Sequence, residues 1–240
     1  MNSEEMNRRE ERARRICRGM AFGYAAAGAG LAVFYAVRGN WYLAAQSVGT
    51  ILVLAMMYWA MRLLHIKPVW QLCSVIVGFT FAAYTLGVAC AFYKILPGYD
   101  KLLHMLSGTL SMMLALPLFY AVKAGHRIEK SDCALAAAFC VAASVAAAGI
   151  WEIAEYALSI IAGIDPQCVA ATGVADTMKD MIVCTIGALA GVPPLIRFYR
   201  TGRGGFLYGP AQAFIEINLP AECAAENHQG DGEERELSAR

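Results

Sequence analysis

Charged side chains are scarce in this sequence. They make up 16% of its 240 residues, whereas a typical soluble domain has about 25%. Of the 39 charged residues, 19 lie in residues 1–20 and 216–240, which leaves 20 for the 195 residues between them. This composition disfavours a soluble globular protein and indicates a middle region that faces lipid. The net charge of only +1 gives no support for a nucleic-acid-binding surface, which needs excess positive charge.

Paired cysteines are lacking as well. The eight cysteines contain no C-x-x-C pair, so the sequence predicts neither a zinc framework nor a redox site built from thiols. A buried cysteine behaves as a small apolar residue. We therefore expect the cysteines within apolar segments to serve packing.

The sequence does contain long apolar segments. A helix needs roughly 20 apolar residues to cross a hydrocarbon core about 30 Å thick. Six stretches free of Asp, Glu, Lys and Arg are close to or beyond this length, at residues 19–37, 39–61, 68–93, 102–122, 133–151 and 181–196. We expect the fifth to continue as helix to about residue 163. Because a spanning segment must satisfy its own backbone hydrogen bonds, these stretches predict an all-α polytopic membrane bundle of six transmembrane helices.

Lysine and arginine are divided unevenly between the two sides of this bundle. With the N-terminus inside, 14 of those up to residue 203 fall in cytoplasmic segments and four fall outside. The positive-inside rule therefore predicts that both termini are cytoplasmic. The predicted divisions are a basic cytoplasmic lead (1–18), the transmembrane domain (19–200, with a candidate site half at about 95–192) and a disordered cytoplasmic tail (201–240).

Ionisable residues inside membrane helices are costly and mark a functional site by default. In the predicted topology, the start of span four, the end of span five and the start of span six meet at the outer surface. Small residues share a helix face with the charged ones, and small faces are where membrane helices approach closely. We therefore expect a cluster drawn from Asp100, Lys101 and His104, from Glu152 and Glu155, and from Asp176, Lys179 and Asp180.

A simpler interpretation exists for Asp100 and Asp176, because carboxylates often cap helix N-termini. Against it, five gathered carboxylates with two lysines cannot all stay ionised, so either some of the acids are protonated or a cation is bound. Carboxylate oxygens with one histidine favour Mg²⁺ or Mn²⁺, and Zn²⁺ less. The predicted roles are metal ligation by Asp100, Glu152, Asp176 and Asp180, water activation by His104 or Glu155, and weak phosphate contacts by Lys101 and Lys179.

Three short motifs lie on consecutive predicted spans: Tyr-Asp-Lys-x-x-His-x-x-x-Gly at residues 99–108, Trp-Glu-x-x-Glu-Tyr at 151–156, and Asp-Thr-x-x-Asp-Met at 176–181. Together they resemble the YjdF-type bacterial inner-membrane proteins and, more distantly, the VanZ-like family. The resemblance covers about residues 95–192. It implies a multi-pass protein of the bacterial cytoplasmic membrane and supports the site, but it implies no reaction.

Three functions remain open on the sequence alone. The first is a divalent-metal-dependent hydrolase or transferase that acts at the outer leaflet on a lipid-linked or envelope substrate. The second is a proton- or cation-coupled transporter, although such sites usually lie near the bilayer midplane. The third is a non-catalytic assembly or resistance factor in which the charges lock the bundle. The lipid bilayer is the predicted partner in each case, and the oligomeric state is open.

Overall fold

The computed structural model describes residues 3–219, and this part of the chain is helical with no strand. Short turns join the helices, and a π-helix (Phe81–Ala89) directly continues the α-helix that ends at Thr80. Two 3₁₀ turns, Ala124–His126 and Lys130–Asp132, precede the α-helix that begins at Cys133. The α-helices are α1 (Ser3–Val37), α2 (Trp41–Leu63), α3 (Trp70–Thr80), α4 (Phe92–Ile95), α5 (Tyr99–Val122), α6 (Cys133–Ala162), α7 (Val169–Thr172), α8 (Ala175–Ala190), α9 (Val192–Thr201) and α10 (Gly205–Asn218).

Within residues 3–219, six helices are long and apolar enough to cross a membrane, which agrees with the predicted number. Their ranges are Glu10–Val37, Trp41–Leu63, Trp70–Ala89, Tyr99–Val122, Lys130–Ala162 and Ala175–Thr201. The sixth combines α8 and α9, which meet where Pro193 and Pro194 enter the first turn of α9. Proline has no amide hydrogen for the helical ladder, so α8 ends there and a new helix begins.

Residues 3–18 of the charged lead form the first part of α1. Its residues are mostly Glu, Arg and Ala, with no Pro or Gly before Gly19, and these residues favour helix strongly. The lead also contacts the beginning of α3. A Glu10 carboxylate oxygen accepts a hydrogen bond of 3.0 Å from the backbone amide of Trp70, and the Arg14 guanidinium lies over the Trp70 ring.

Helix α10 corrects the expectation of a disordered tail from residue 201. Tyr208, Ala211 and Ile215 of this helix are buried in the main core. At the end of α10, the Asn218 side chain forms hydrogen bonds with both the backbone amide and the backbone carbonyl of Lys67. The expectation rested on the Gly204-Gly205 pair, two prolines and the polar end of the tail, whereas most acidic residues come after Glu216 and the segment before it is apolar. The rest of that prediction, residues 220–240, lies outside the described residues.

The core divides into two clusters of unequal size. The larger is centred on α5, where Met112, Leu116 and Tyr120 are fully buried. The smaller joins α1 to α3. Only 11% of the most apolar stretch of the first span is buried within the protein, against 44% in the fourth. Helix α5 is therefore the central helix, and its N-terminal end begins with the first predicted site residues.

Candidate functional site

Close packing of α5 against α8 positions the site. A Cβ added at Gly108 would overlap the carbonyl oxygen of Cys184, and one added at Gly187 would overlap that of Met105. The Thr109 hydroxyl donates a hydrogen bond of 2.8 Å to the Gly187 carbonyl. Backbones can approach this closely only where the side chain is a hydrogen atom. The small-residue faces predicted from the sequence thus bring these two helices together.

The charged residues lie one turn beyond this glycine contact. Residue 104 precedes Gly108 by four positions, and Asp180 precedes Cys184 by four, so each pair shares a helix face. The N-terminal ends of α5 and α8 therefore lie side by side, with these faces in contact. Helix α6 packs against both, and Ser144 of α6 donates to the Gly108 carbonyl at 3.3 Å.

Lys101 lies at the centre of the cluster. Its Nζ atom is 2.6 Å from Asp176 Oδ1, 2.7 Å from Asp180 Oδ1 and 3.0 Å from Asp100 Oδ2. An ammonium group has three donors, and here three carboxylates accept from it. The Asp180 side chain is 5% exposed, so its charge is largely removed from water and depends on this partner.

His104 completes the group. Its Nε2 atom is 3.6 Å from Asp100 Oδ1 and 3.7 Å from Asp180 Oδ1, too far for direct hydrogen bonds. One ligand atom from each of Asp100, His104 and Asp180 lies within 4.8 Å of the other two. We call Asp100, Lys101, His104, Asp176 and Asp180 the cluster; within it, one imidazole and two carboxylates lie close enough together to hold a metal ion.

The structure supports only the dipole part of the helix-cap interpretation of Asp100 and Asp176. Neither α5 nor α8 has a side-chain hydrogen bond at its N-cap. Both aspartates instead bind Lys101 across the helix interface. Their charge still lies at the positive end of a helix dipole, which is favourable.

The two glutamates of α6 lie apart from the cluster. Glu152 is buried, and its carboxylate accepts 2.9 Å from Gln167 Nε2, which also donates to the Glu152 carbonyl. Glu155 accepts from the indole nitrogen of Trp151 at 2.9 Å and is half-buried. Within residues 3–219, no hydrogen bond or ion pair joins either glutamate to the cluster. Glu152, predicted as a metal ligand, is thus separated from the three aspartates.

Lys179 and Gln167 are the two other differences from the sequence prediction. Lys179 is exposed and forms no ion pair with the described residues, because it is one position, about 100° of helix rotation, away from buried Asp180. Gln167 was not singled out, since a neutral residue in a loop gives no sequence signal. Only the loop conformation brings it onto Glu152.

Electrostatics extend from the cluster to the loop between α6 and α8. Burial raises the pKa of the Cys168 thiol, and the negative charges of Asp176 and Asp165 raise it further. The thiol is exposed and forms no disulfide. Cys168 therefore stays protonated at neutral pH. Its raised pKa indicates a negative electrostatic potential at this end of the bundle.

A family model described as "Predicted membrane protein (DUF2238)" matches residues 17–200, most of the chain and all of the cluster. The chain belongs to this family. The YjdF-type resemblance is consistent with DUF2238 membership, whereas nothing in the match supports the VanZ-like link. No curated protein matches the chain, and no solved structure matches it. The DUF2238 description and the six apolar helices together make the chain a multi-pass membrane protein.

Proposed function

We propose that this protein binds one divalent cation through Asp100, His104 and Asp180 and uses it for hydrolysis or group transfer on a lipid-linked phosphate substrate at the membrane surface. The observation that carries the proposal is the meeting of one imidazole nitrogen and two carboxylate oxygens within 4.8 Å of one another. Ligands that share an ion at bond lengths of about 2.0–2.6 Å lie at such separations.

The charge of the cluster favours a dication. Three aspartates contribute three negative charges and Lys101 contributes one positive charge, which leaves −2 when His104 is neutral. A dication would balance this charge, and neutral imidazole is the form of histidine that binds metals. Asp176 would remain the partner of Lys101 when Asp180 turns an oxygen toward the ion.

Mg²⁺ and Mn²⁺ are the proposed ions, because oxygen donors form most of the ligand set. Zn²⁺ is less favoured, since His104 is the one nitrogen ligand in this group and no thiolate joins it. The remaining positions around the ion would be open to water and to substrate oxygens.

Such an ion would supply a water of lowered pKa and would polarise a phosphoryl oxygen. Glu155 is the proposed base, because His104 would be a ligand; since Glu155 makes no direct contact with the cluster, it would take the proton through an intervening water. Lys101 would transfer one of its hydrogen bonds from an aspartate to a phosphate oxygen. Glu152 and Gln167 would hold the loop of residues 163–174 in place. By the positive-inside rule we place the cluster on the outer side of the bacterial cytoplasmic membrane, with both termini inside.

The first test is metal binding by the purified full-length chain. After removal of metal with a chelator, we expect calorimetric titration with Mn²⁺ to give one site per chain. Asp180→Asn and His104→Ala should each weaken binding by about tenfold or more, because each removes a ligand. Lys179→Gln is the matched control, since this neighbouring side chain is exposed and outside the cluster. Unchanged binding in both ligand variants would refute the site.

The reaction is tested separately by phosphate release from a polyprenyl diphosphate in mixed micelles. We expect Mn²⁺-dependent release that Asp180→Asn and Glu155→Gln abolish, with metal binding retained in Glu155→Gln. Saturable metal binding without release from this substrate would leave the site in place and contradict the hydrolytic role.

A further inference from the structure

A second polar feature lies at the opposite end of the bundle, where α6 begins and α9 ends. Here a cleft of about 500 Å³ is lined by Lys130 and Arg200, by Tyr199 and by the apolar side chains of Ala134, Ala137 and Ile196. This volume is in the range of small-molecule sites. We infer that this basic cleft binds the phosphate headgroup and upper acyl chain of an anionic phospholipid.

The two cations lie at one membrane boundary. Lys130 is the first residue of the fifth candidate span, and Arg200 is the last but one of the sixth. Helical rise puts Ala134 and Ile196, each four residues nearer the centre of its span, about 6 Å deeper than the cations. The cleft is therefore charged at the level of the lipid headgroups and apolar below it, and a phospholipid likewise has a charged headgroup above apolar acyl chains.

The two cations of the cleft have no acidic partner in the described part of the chain, whereas the neighbouring acids are already paired. Lys123 Nζ is 2.7 Å from Asp132 Oδ2 and 3.5 Å from Glu129 Oε2. Asp132 also accepts from the Tyr120 hydroxyl at 3.1 Å. Among residues 3–219, neither Lys130 nor Arg200 forms an ion pair, and both are exposed. Their positive charge is therefore available to an external anion.

Tyr199 is fixed by the same network. Its hydroxyl is 2.6 Å from that of Tyr120. Because the single Tyr120 hydrogen is donated to Asp132, Tyr199 must donate its own to Tyr120. The Tyr199 oxygen keeps a lone pair but no free hydrogen for a phosphate. The ring thus forms a wall of the cleft, and Lys130 and Arg200 are the groups that recognise the anion.

A bound lipid fits these observations better than a soluble anion does. A free phosphate would use the two exposed cations alone, and such a pair in water binds weakly. A phospholipid adds apolar burial along α6 and α9, and it is already concentrated at this depth. Basic clefts between membrane helices are known to take anionic headgroups.

The test is native mass spectrometry of the full-length chain extracted from vesicles made of equal parts of phosphatidylglycerol and phosphatidylcholine with the same acyl chains. We expect one retained phosphatidylglycerol. The double variant Lys130→Gln/Arg200→Gln should weaken its retention by about 25-fold, because each cation contributes roughly a factor of five. Arg127→Gln/Arg197→Gln is the control, since it removes the same charge near the same boundary from exposed residues that do not line the cleft.

Two further arms separate a lipid site from its alternatives. Lys130→Arg/Arg200→Lys should restore retention, because it keeps both charges and so distinguishes recognition from a folding defect. Inorganic phosphate at millimolar concentration should not displace the lipid. Equal loss in both double variants would show a general surface effect, and displacement by phosphate would show a soluble-anion site. Either result would overturn the inference, as would wild-type retention in Lys130→Gln/Arg200→Gln.

Discussion

Replacing Lys101 with methionine separates a metal site from a purely structural ion-pair cluster. The Lys101 Nζ atom lies 2.7 Å from Asp180 Oδ1, so an ion bound to that oxygen at about 2.1 Å would be at most about 4.8 Å from the ammonium. Repulsion between a dication and an ammonium at that distance is about 1.7 kcal/mol even with the dielectric constant of water. Lys101→Met should therefore tighten Mn²⁺ binding by about twentyfold or more.

The structural alternative gives the opposite result. If Lys101 only locks α5 to α8, its removal leaves buried Asp180 without its partner, and breaking a buried pair costs about 3–5 kcal/mol. Added Mn²⁺ would then leave the melting temperature unchanged. In the metal-site case, Mn²⁺ should raise the melting temperature of Lys101→Met more than that of the wild type.

The assay is a Mn²⁺ titration of the purified chain, followed by calorimetry and by thermal unfolding monitored with circular dichroism. Lys179→Met is the matched control, since it removes the same charge from an exposed side chain without an ion pair among the described residues. It should change Mn²⁺ affinity by less than about threefold, in line with a screened surface charge. A folded Lys101→Met variant whose Mn²⁺ affinity equals or falls below that of the wild type would refute the reasoning.

Three other perturbations test the fold and its orientation. Gly187→Ala should destabilise the protein by about 1–3 kcal/mol, because the added Cβ meets a backbone carbonyl. Gly49→Ala is the control and should not destabilise it, since there is open space around Gly49. Equal unfolding free energies of the two variants in detergent would contradict the close approach of α5 and α8. Tyr120→Phe should cost about 1–3 kcal/mol by removing a buried hydrogen bond to Asp132, and an unchanged melting temperature would contradict this. A membrane-impermeant maleimide should label Cys168 in intact cells, whereas the Cys168→Ser variant should not be labelled at this position. Because the pKa of this thiol is raised, labelling should be slow at pH 7 and faster toward pH 9. Labelling only after cell lysis would contradict the predicted orientation.

The six spans were predictable because the length and apolarity of a membrane helix are properties of one segment. The gathering of Asp100, His104 and Asp180 was predictable for a related reason. Alternating passes return the start of α5 and the start of α8 to one side, and small residues on the same faces indicate where the helices meet. The roles assigned to these residues stay predictions.

The other features of the site and fold depend on three-dimensional geometry that the sequence pattern does not specify. Lys101 and Lys179 look equivalent in depth, but the rotation of each helix decides that one enters the cluster and the other faces outward. That rotation is set by the contact of Gly187 with α5. The pairing of Glu152 with Gln167 depends on the path of an irregular loop. Helix α10 was missed because the glycine pair, the prolines and the acidic end of the tail were taken to indicate disorder throughout it.

The glycine contact between α5 and α8 also limits how the cluster can move. Two backbones that touch at Gly108 and Gly187 can neither slide past each other nor draw apart without losing this contact and the Thr109 hydrogen bond. The contact therefore holds the N-terminal ends of the two helices together. At the proposed metal site, an ion would enter by rotation of the Lys101 side chain, and the two helices would not need to separate.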